Sequence, residues 1–412
     1  MNHLFRSLVC RRLSALEQGV LVLDEAGRRR EFGGRGDVLL AARVEVHDPC
    51  FYRNLVLGGS LGAAEAYLRG YWTCENLADL VRIFCRNPAV SAGLEGGLSR
   101  LLSPVARLGH WLRRNTTTGS RKNIAAHYDL GNEFFALFLD ETMAYSCAIF
   151  PRPDSTLHEA SVAKFDRICR KLALEPGDHL LEIGAGWGGY AIHAARNYGC
   201  RVTTTTISQK QYDYARRLVA DAGLGDRVTV LRKDYRDLTG TYTKLVSIEM
   251  IEAVGHPFFD TYFRACSQRL KPEGLMLLQA ITIPDQRYDA YRRGVDFIQR
   301  YVFPGGCLPS VGAICDSVGR VTDMRLTHFE DLTPHYAQTL ALWRQRFFEN
   351  LDRVRGLGLS DRFIRTWEYY FCYCEGAFRE QAIGDAQMLF AKPACQRAPI
   401  LPSLQPDQGP AR

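Results

Sequence analysis

The run His179-Leu180-Leu181-Glu182-Ile183-Gly184-Ala185-Gly186-Trp187-Gly188-Gly189 sets the architecture expected for everything around it. A short apolar string running into glycines reads as a buried strand, residues 179–183, entering a glycine loop, residues 184–189, before a helix from Tyr190. Gly184, Gly186 and Gly188 let the backbone turn sharply and come close to a ligand. Further along, apolar runs at 201–207, 228–231, 244–249 and 275–281 alternate with helical patterns at 208–222 and 258–270. Ser208 is placed to cap the first of these helices, and Pro272-Glu273-Gly274 closes the second. Residues 282–309 interrupt the alternation with an aromatic-rich segment. Helices at 333–350 and 361–381 and a last strand near 387–391 follow. This order predicts an α/β fold whose open, mostly parallel sheet carries its ligand at the carboxyl ends of the strands.

With 412 residues the chain is long enough for about two or three domains. Hydrophobic residues make up 46% and charged residues 24%, an ordinary globular balance. The net charge is +7, and residues 1–122 hold 18 Lys and Arg against 11 Asp and Glu, so the whole basic excess lies in the first third. Such a module suits a polyanionic partner, a nucleic acid or an anionic membrane surface, although a merely solvated surface explains it as well. Within this module, residues 59–72 (GSLGAAEAYLRGYW) read as a turn and a short amphipathic helix, and residues 76–85 (NLADLVRIFC) as a companion helix. No apolar run is long enough to span a bilayer, and the N-terminus lacks the features of an export signal. The 13 cysteines are odd in number and show no zinc-ligand spacing, which suggests reduced thiols in a cytoplasmic protein. His127, His256 and His335 adjoin motifs without metal-ligand partners at useful spacing, so no metal is expected.

A dinucleotide-binding fold would place an acidic residue at the end of the second strand for the ribose hydroxyls. This chain has Thr206-Ile207-Ser208 there, which argues against a nicotinamide cofactor. The order Glu182-x-Gly184-x-Gly186-x-Gly188 instead resembles the first motif of the class I S-adenosylmethionine methyltransferases. Glu182, between strand and glycine loop, is read as functional rather than as a surface residue. Asp234, after the third strand, is equally suited to capping a turn and to contacting an adenine.

More specifically, the chain resembles the cyclopropane-fatty-acyl-phospholipid synthases and the related mycolic acid cyclopropane synthases. The strings are NIAAHYDLGNEFFALFLDETMAYSCAIF (123–150), LEIGAGWGGYAIHAA (181–195), TISQKQYDYA (206–215), DYRDL (234–238), IEMIEAVGHPFFDTYF (248–263), YVFPGGCLPS (301–310), DLTPHYAQTLALWRQRF (331–347) and YYFCYCEGAFR (369–379). The resemblance implies a Rossmann-like seven-stranded sheet in a methyltransferase domain over 123–392. A smaller mixed α/β domain over 1–110 would bind lipid or membrane, joined by a basic linker at 111–122, with a disordered tail over 393–412. It implies cofactor contacts at Tyr145, Ser146, Glu182, Gly184, Ala185, Gly186, Gly188, Thr206, Ile207, Ser208, Gln209, Gln211, Asp234 and Tyr235. It also implies a bicarbonate ion near the transferred methyl, at Cys147, Glu252, Ile281 and Tyr336. At the fifth position the family's usual histidine is Gln279, which can exchange hydrogen bonds but cannot carry a proton as imidazolium. Cys374 matches a cysteine once considered a nucleophile, and a buried structural thiol is the preferred reading. Unsaturated phospholipid acyl chains at an anionic membrane surface are the implied partners. The protein would lie peripherally on the inner face of the membrane, with no nucleic acid and with a homodimer left open.

An isolated double bond is a poor nucleophile, and positioning can supply about 7–11 kcal/mol of the barrier to methyl transfer. The resulting carbocation suits aromatic surroundings, each face contributing about 0.5–2 kcal/mol. Tyr288, Tyr291, Phe297, Tyr301, Phe303, Tyr336 and Trp343 are available, although each alone is better read as core. Proton loss from the new methyl closes a cyclopropane, whereas other routes give methylene or methyl-branched chains. The competing readings are a small-molecule N-methyltransferase, a non-catalytic lipid-binding protein that keeps the fold, and, last, a nucleic-acid methyltransferase.

Overall fold

The computed structural model describes residues 2–34, 40–94 and 131–400. The expected linker at 111–122, His127 and residues 401–412 lie outside them.

The first module builds a four-stranded sheet from β1 (Val20–Glu25), β2 (Arg28–Gly33), β3 (Ala41–Val46) and β4 (Trp72–Cys74), in the order β2-β1-β3-β4. β1 and β2 form an antiparallel hairpin, and β3 runs parallel to β1. The turn expected near Gly59 is a non-helical kink (φ 58°) that separates two helical stretches within Cys50–Leu68. Just beyond it the backbone folds so tightly that a Cβ on Gly62 would lie 2.0 Å from the Asn54 carbonyl oxygen. The helix Leu77–Arg86 then places Leu77, Ala78, Leu80 and Ile83 on its buried side.

The second sheet has seven strands: β5 (His179–Ile183), β6 (Arg201–Thr205), β7 (Val228–Leu231), β8 (Tyr242–Ile248), β9 (Leu270–Thr282), β10 (Arg325–Asp331) and β11 (Gly384–Ala391), ordered β10-β11-β9-β8-β5-β6-β7. The five from β9 to β7 are mutually parallel, whereas β11 runs antiparallel to both of its neighbours. β5 is covered on both faces, as a central parallel strand must be. Phe259, Tyr262, Phe263 and Ile314 pack on one side of the sheet, and Phe165, Ile168, Tyr190 and Ala191 on the other. β10, which the sequence pattern does not single out, lies at the edge with Leu326 and Phe329 exposed.

One apolar cluster joins the first module to the C-terminal helices, running from Val9 and Tyr67 to Trp367 and Phe378. Gly376 permits the closest approach, since a Cβ there would stand 2.7 Å from the Ala78 carbonyl oxygen. Arg82 and Arg86 both donate to Glu380 at 2.8 Å, and the Tyr67 hydroxyl donates to Glu368 at 2.7 Å. The tail expected to be disordered from 393 is attached as far as 400. The Ala394 amide donates to the Pro272 carbonyl, and Cys395 and Ile400 pack against the core. None of the thirteen cysteines is disulfide-bonded. Among the described residues no helix is long and apolar enough to cross a membrane.

Candidate active site

A cavity of about 460 Å³ opens over the carboxyl ends of β5, β6, β8 and β9. On one side lies the glycine loop. Gly184 (φ 100°) and Gly186 (φ 50°) adopt left-handed conformations, and beyond the Cα of Gly186 there is open space. The amides of Gly184 and Ala185 donate to the Thr205 carbonyl, which ties the loop to β6. Thr206, Ile207, Gln211, Asp234 and Tyr235 continue this wall, and Tyr145 and Ser146 approach from the segment before the sheet. The Thr206 hydroxyl donates to Gln211 Oε1 at 2.8 Å. Asp234 accepts a two-pronged contact from the Arg236 guanidinium at 2.8 and 2.7 Å. Burial pushes Glu182 up to about 8, and its Oε2 has no hydrogen-bond partner. A buried polar atom beside an open glycine loop suits a ligand with donors of its own.

Deeper in the cavity the chemistry changes to carboxylates. Glu249 leaves the end of β8 at φ 48°, strained for a non-glycine residue, and so turns its side chain into the site. Glu249 Oε1 accepts from the Cys147 amide at 2.7 Å and from Gln279 Nε2 at 2.8 Å. Its Oε2 accepts from the Tyr336 hydroxyl at 2.6 Å. Burial pushes Glu249 up, while the Tyr336, Cys147 and Gln279 hydrogen bonds and the Lys164 charge oppose that. Glu252 Oε1 accepts from the Ile281 amide at 2.5 Å, and its Oε2 is buried without a partner. Burial first, then the Glu249 charge, push Glu252 up to about 8. Asp385 is also raised, by burial and by the Glu249 and Glu252 charges.

The orientation of Gln279 is set from a distance. Lys171 Nζ bonds Glu330 at 2.5 Å and donates to Gln387 Oε1 at 2.8 Å. An ammonium can only donate, so Gln387 must turn its amide nitrogen towards Gln279 Oε1, 3.0 Å away. The Gln279 amide nitrogen is thereby aimed at Glu249.

Of the residues singled out from sequence, Tyr145, Ser146, Glu182, Gly184, Ala185, Gly186, Thr206, Ile207, Gln211, Asp234, Tyr235, Glu252, Ile281, Tyr336 and Cys374 line the cavity. Gly188, Ser208, Gln209, Cys147 and Gln279 do not. Gly188 precedes the helix Gly189–Tyr198, and Ser208 caps the helix Gln209–Asp221 by accepting from the Gln211 amide. Gln209 is exposed, with its amide on Asp213. Cys147 and Gln279 act from behind, through Glu249. Of the aromatics, Tyr291, Phe303 and Tyr336 face the cavity, joined by Tyr145, Tyr370, Tyr373 and Phe378, while Tyr288, Phe297, Tyr301 and Trp343 do not line it. His256 meets the Tyr288 hydroxyl at 2.6 Å, and His335 accepts from the Phe150 amide. Asp140, Glu141 and His158 form a grouping of metal-ligand type, two of them exposed, with Asp140 already accepting from Thr142 and Ser161.

Three charged residues went unread in the sequence. Lys164 is fully buried, with Nζ donating to Ser146 Oγ at 2.7 Å and lying over the Phe165 ring. Its signal is a lysine on the apolar stripe Ala160, Ser161, Lys164, Ile168 of the helix Leu157–Leu172. Glu249 and Asp385 gave less: one looks like a strand end, the other like a loop residue.

Residues 115–388 match the family described as mycolic acid cyclopropane synthetase. The chain belongs to this family. Tuberculostearic acid methyltransferase UfaA1 of Mycobacterium tuberculosis is 41% identical over 358 residues, 82% of this chain and 81% of that protein. The cyclopropane-fatty-acyl-phospholipid synthase of Escherichia coli is 37% identical over 354 residues, 85% of this chain and 88% of that one. Among solved structures, mycolic acid cyclopropane synthase CmaA1 complexed with SAH and CTAB superimposes with a TM-score of 0.61 at 34% identity, over 66% of this chain and 98% of that one. As a member of the cyclopropane synthase family the chain is an S-adenosylmethionine-dependent methyltransferase.

The glycine loop, with its open face at Gly186 and the unpartnered Glu182 oxygen, fits the S-adenosylmethionine of this family. The bicarbonate implied by the same resemblance does not fit. The Cys147 amide, Gln279 and the Tyr336 hydroxyl all donate to Glu249, and the Ile281 amide donates to Glu252. Cys374 lines the cavity with its thiol raised by burial, the state of an unreactive sulfur.

Proposed function

We propose that this methyltransferase acts on the cis double bond of unsaturated acyl chains of membrane phospholipids and forms cyclopropane rings. The observation that carries the reading is one cavity with two ends. A glycine loop opens on one side, and on the other an apolar wall runs through Phe303, Tyr370, Ala377, Phe378 and Ile383 to Val81 and Cys85 of the first module. A hydrocarbon chain suits such a wall, which reaches the first module at Val81 and Cys85.

S-adenosylmethionine supplies an electrophilic methyl on a sulfonium. Tyr145, Ser146, Glu182, Gly184, Ala185, Gly186, Thr206, Ile207, Gln211, Asp234 and Tyr235 would hold it, with Gly188 and Ser208 shaping the backbone beneath. Gln209, on the surface, would contribute through the helix it begins. Tyr145, Tyr336 and Phe378 line the cavity and would offer ring faces to positive charge developing on the acyl chain. Ile281 and Glu252 brace each other across the end of β9. Cys374 packs the wall. The donors that would hold a bicarbonate are engaged by Glu249 and Glu252.

The basic excess of residues 1–122 supports peripheral attachment to an anionic leaflet, on the cytoplasmic face. A second product class, methylene or methyl-branched chains, draws support from the relative named tuberculostearic acid methyltransferase. Mass spectrometry of lipids from cells expressing the chain tests both. A gain of one CH2 on monounsaturated acyl chains is expected, and unchanged lipids would overturn the proposal. Catalytic hydrogenation then distinguishes ring, methylene and saturated branch.

A further inference from the structure

We propose that the Glu249 carboxylate is the built-in base of the reaction and stands in the place of an external bicarbonate ion. The inference rests on the function proposed above.

Bicarbonate and a glutamate side chain present the same group to their surroundings, a planar anion with two acceptor oxygens. A pocket built for such an anion needs convergent donors. Here the donors converge on Glu249: a main-chain amide from Cys147, a side-chain amide from Gln279 and the Tyr336 hydroxyl, at 2.7, 2.8 and 2.6 Å. Two of these three come from segments far away in sequence, and Gln279 is locked in its donating orientation by Lys171 and Gln387. The left-handed backbone at Glu249 is what delivers the side chain to this point. Strain of that kind costs on the order of 1–3 kcal/mol and persists where the surroundings enforce it. Glu249 also lines the cavity, so its carboxylate faces the space an acyl chain would fill.

The protonation pattern agrees with a base. Glu249 receives three donors and feels the buried Lys164 ammonium, whereas Glu252 Oε2 and Asp385 Oδ1 are buried without partners. Glu249, Glu252 and Asp385 repel one another in a buried site and cannot all be charged. The two with unpartnered oxygens keep their protons, and the one with three donors carries the charge.

The step balances without a co-reactant. The methyl carbon bonds to one alkene carbon as its bond to sulfur breaks, the pair staying on sulfur, and the other alkene carbon becomes a cation. Glu249 takes a proton from the new methyl, and the C–H pair closes the ring. The carboxylic acid so formed returns its proton to solvent.

Purified enzyme, S-adenosylmethionine and vesicles of dioleoylphosphatidylglycerol, in buffer stripped of carbon dioxide, provide the test. Wild-type turnover is expected to be unchanged when bicarbonate is added back. Glu249→Gln, which keeps shape and removes basicity, should lose roughly 10²–10⁴-fold in turnover, with S-adenosylhomocysteine affinity by calorimetry kept within about threefold as the check on folding. Glu249→Gly should bind 13C-labelled bicarbonate by NMR line broadening, where wild type does not, and regain activity with it. A wild-type rate that falls on stripping bicarbonate, labelled bicarbonate bound by the wild type, or a Glu249→Gln enzyme of full activity would overturn the inference. Failure of the underlying reading looks different: the wild type would then make no product with or without bicarbonate.

Discussion

Glu182 and Glu252 sit a few residues from the carboxyl ends of neighbouring strands, and burial raises both from 4.5 to about 8. In the unfolded chain they release their protons near pH 4.5, whereas in the folded protein they hold them until about 8. Folding therefore takes up protons in that window, and stability is full below it and falls as pH rises through it. Urea denaturation across the window should show this decline, and Glu252→Gln should flatten it. A slope that Glu252→Gln leaves unchanged would show that this carboxyl does not hold its proton. Residues of this kind mark the limit of what was legible beforehand. Gln279 stood out as a departure from the family pattern, but its partner Glu249 did not, because a left-handed turn after a strand leaves no periodic trace. Lys164 was legible in principle, as a charge on an apolar helical face.

At the scale of elements, the strand-loop-helix punctuation gave four of the parallel strands to within a residue or two, because buried strands are uniformly apolar and glycines bound them. β9 begins at Leu270, five residues before its apolar run, so that Pro272-Glu273-Gly274, read as closing a helix, lie within the strand. β10 escaped because edge strands are half polar, so Arg325–Asp331 resembles a loop. The turn read at Gly59 is present, as a non-helical residue that breaks Cys50–Leu68 into two helical stretches. The helix Leu77–Arg86 meets the helix Asp361–Arg379 where Gly376 leaves no room for a side chain. Gly376→Ala should push the two apart and cost about 1–3 kcal/mol, by analogy with overpacked cores. The midpoint of urea unfolding measures this, and an unchanged midpoint would mean that the contact yields easily.

At the scale of the whole molecule, the first module and the C-terminal helices share one apolar core. The first module also contributes Val81 and Cys85 to the cavity wall, while five of the seven excess positive charges fall in residues 95–122, outside the described residues. Co-sedimentation with phosphatidylglycerol vesicles should be strong at low salt and fall steeply as ionic strength passes about 0.15 M. Binding that is indifferent to salt, or equal with neutral vesicles, would remove the electrostatic part of this picture. The pairs Tyr67–Glu368 and Arg82–Glu380 close over 301 and 298 residues of chain. A ribosome releasing this protein from its N-terminus therefore finishes the first module long before the wall it must meet. Until residues 361–379 emerge, the nascent first module carries an uncovered greasy flank. Ligand capture therefore has to be among the last abilities a newly made chain acquires.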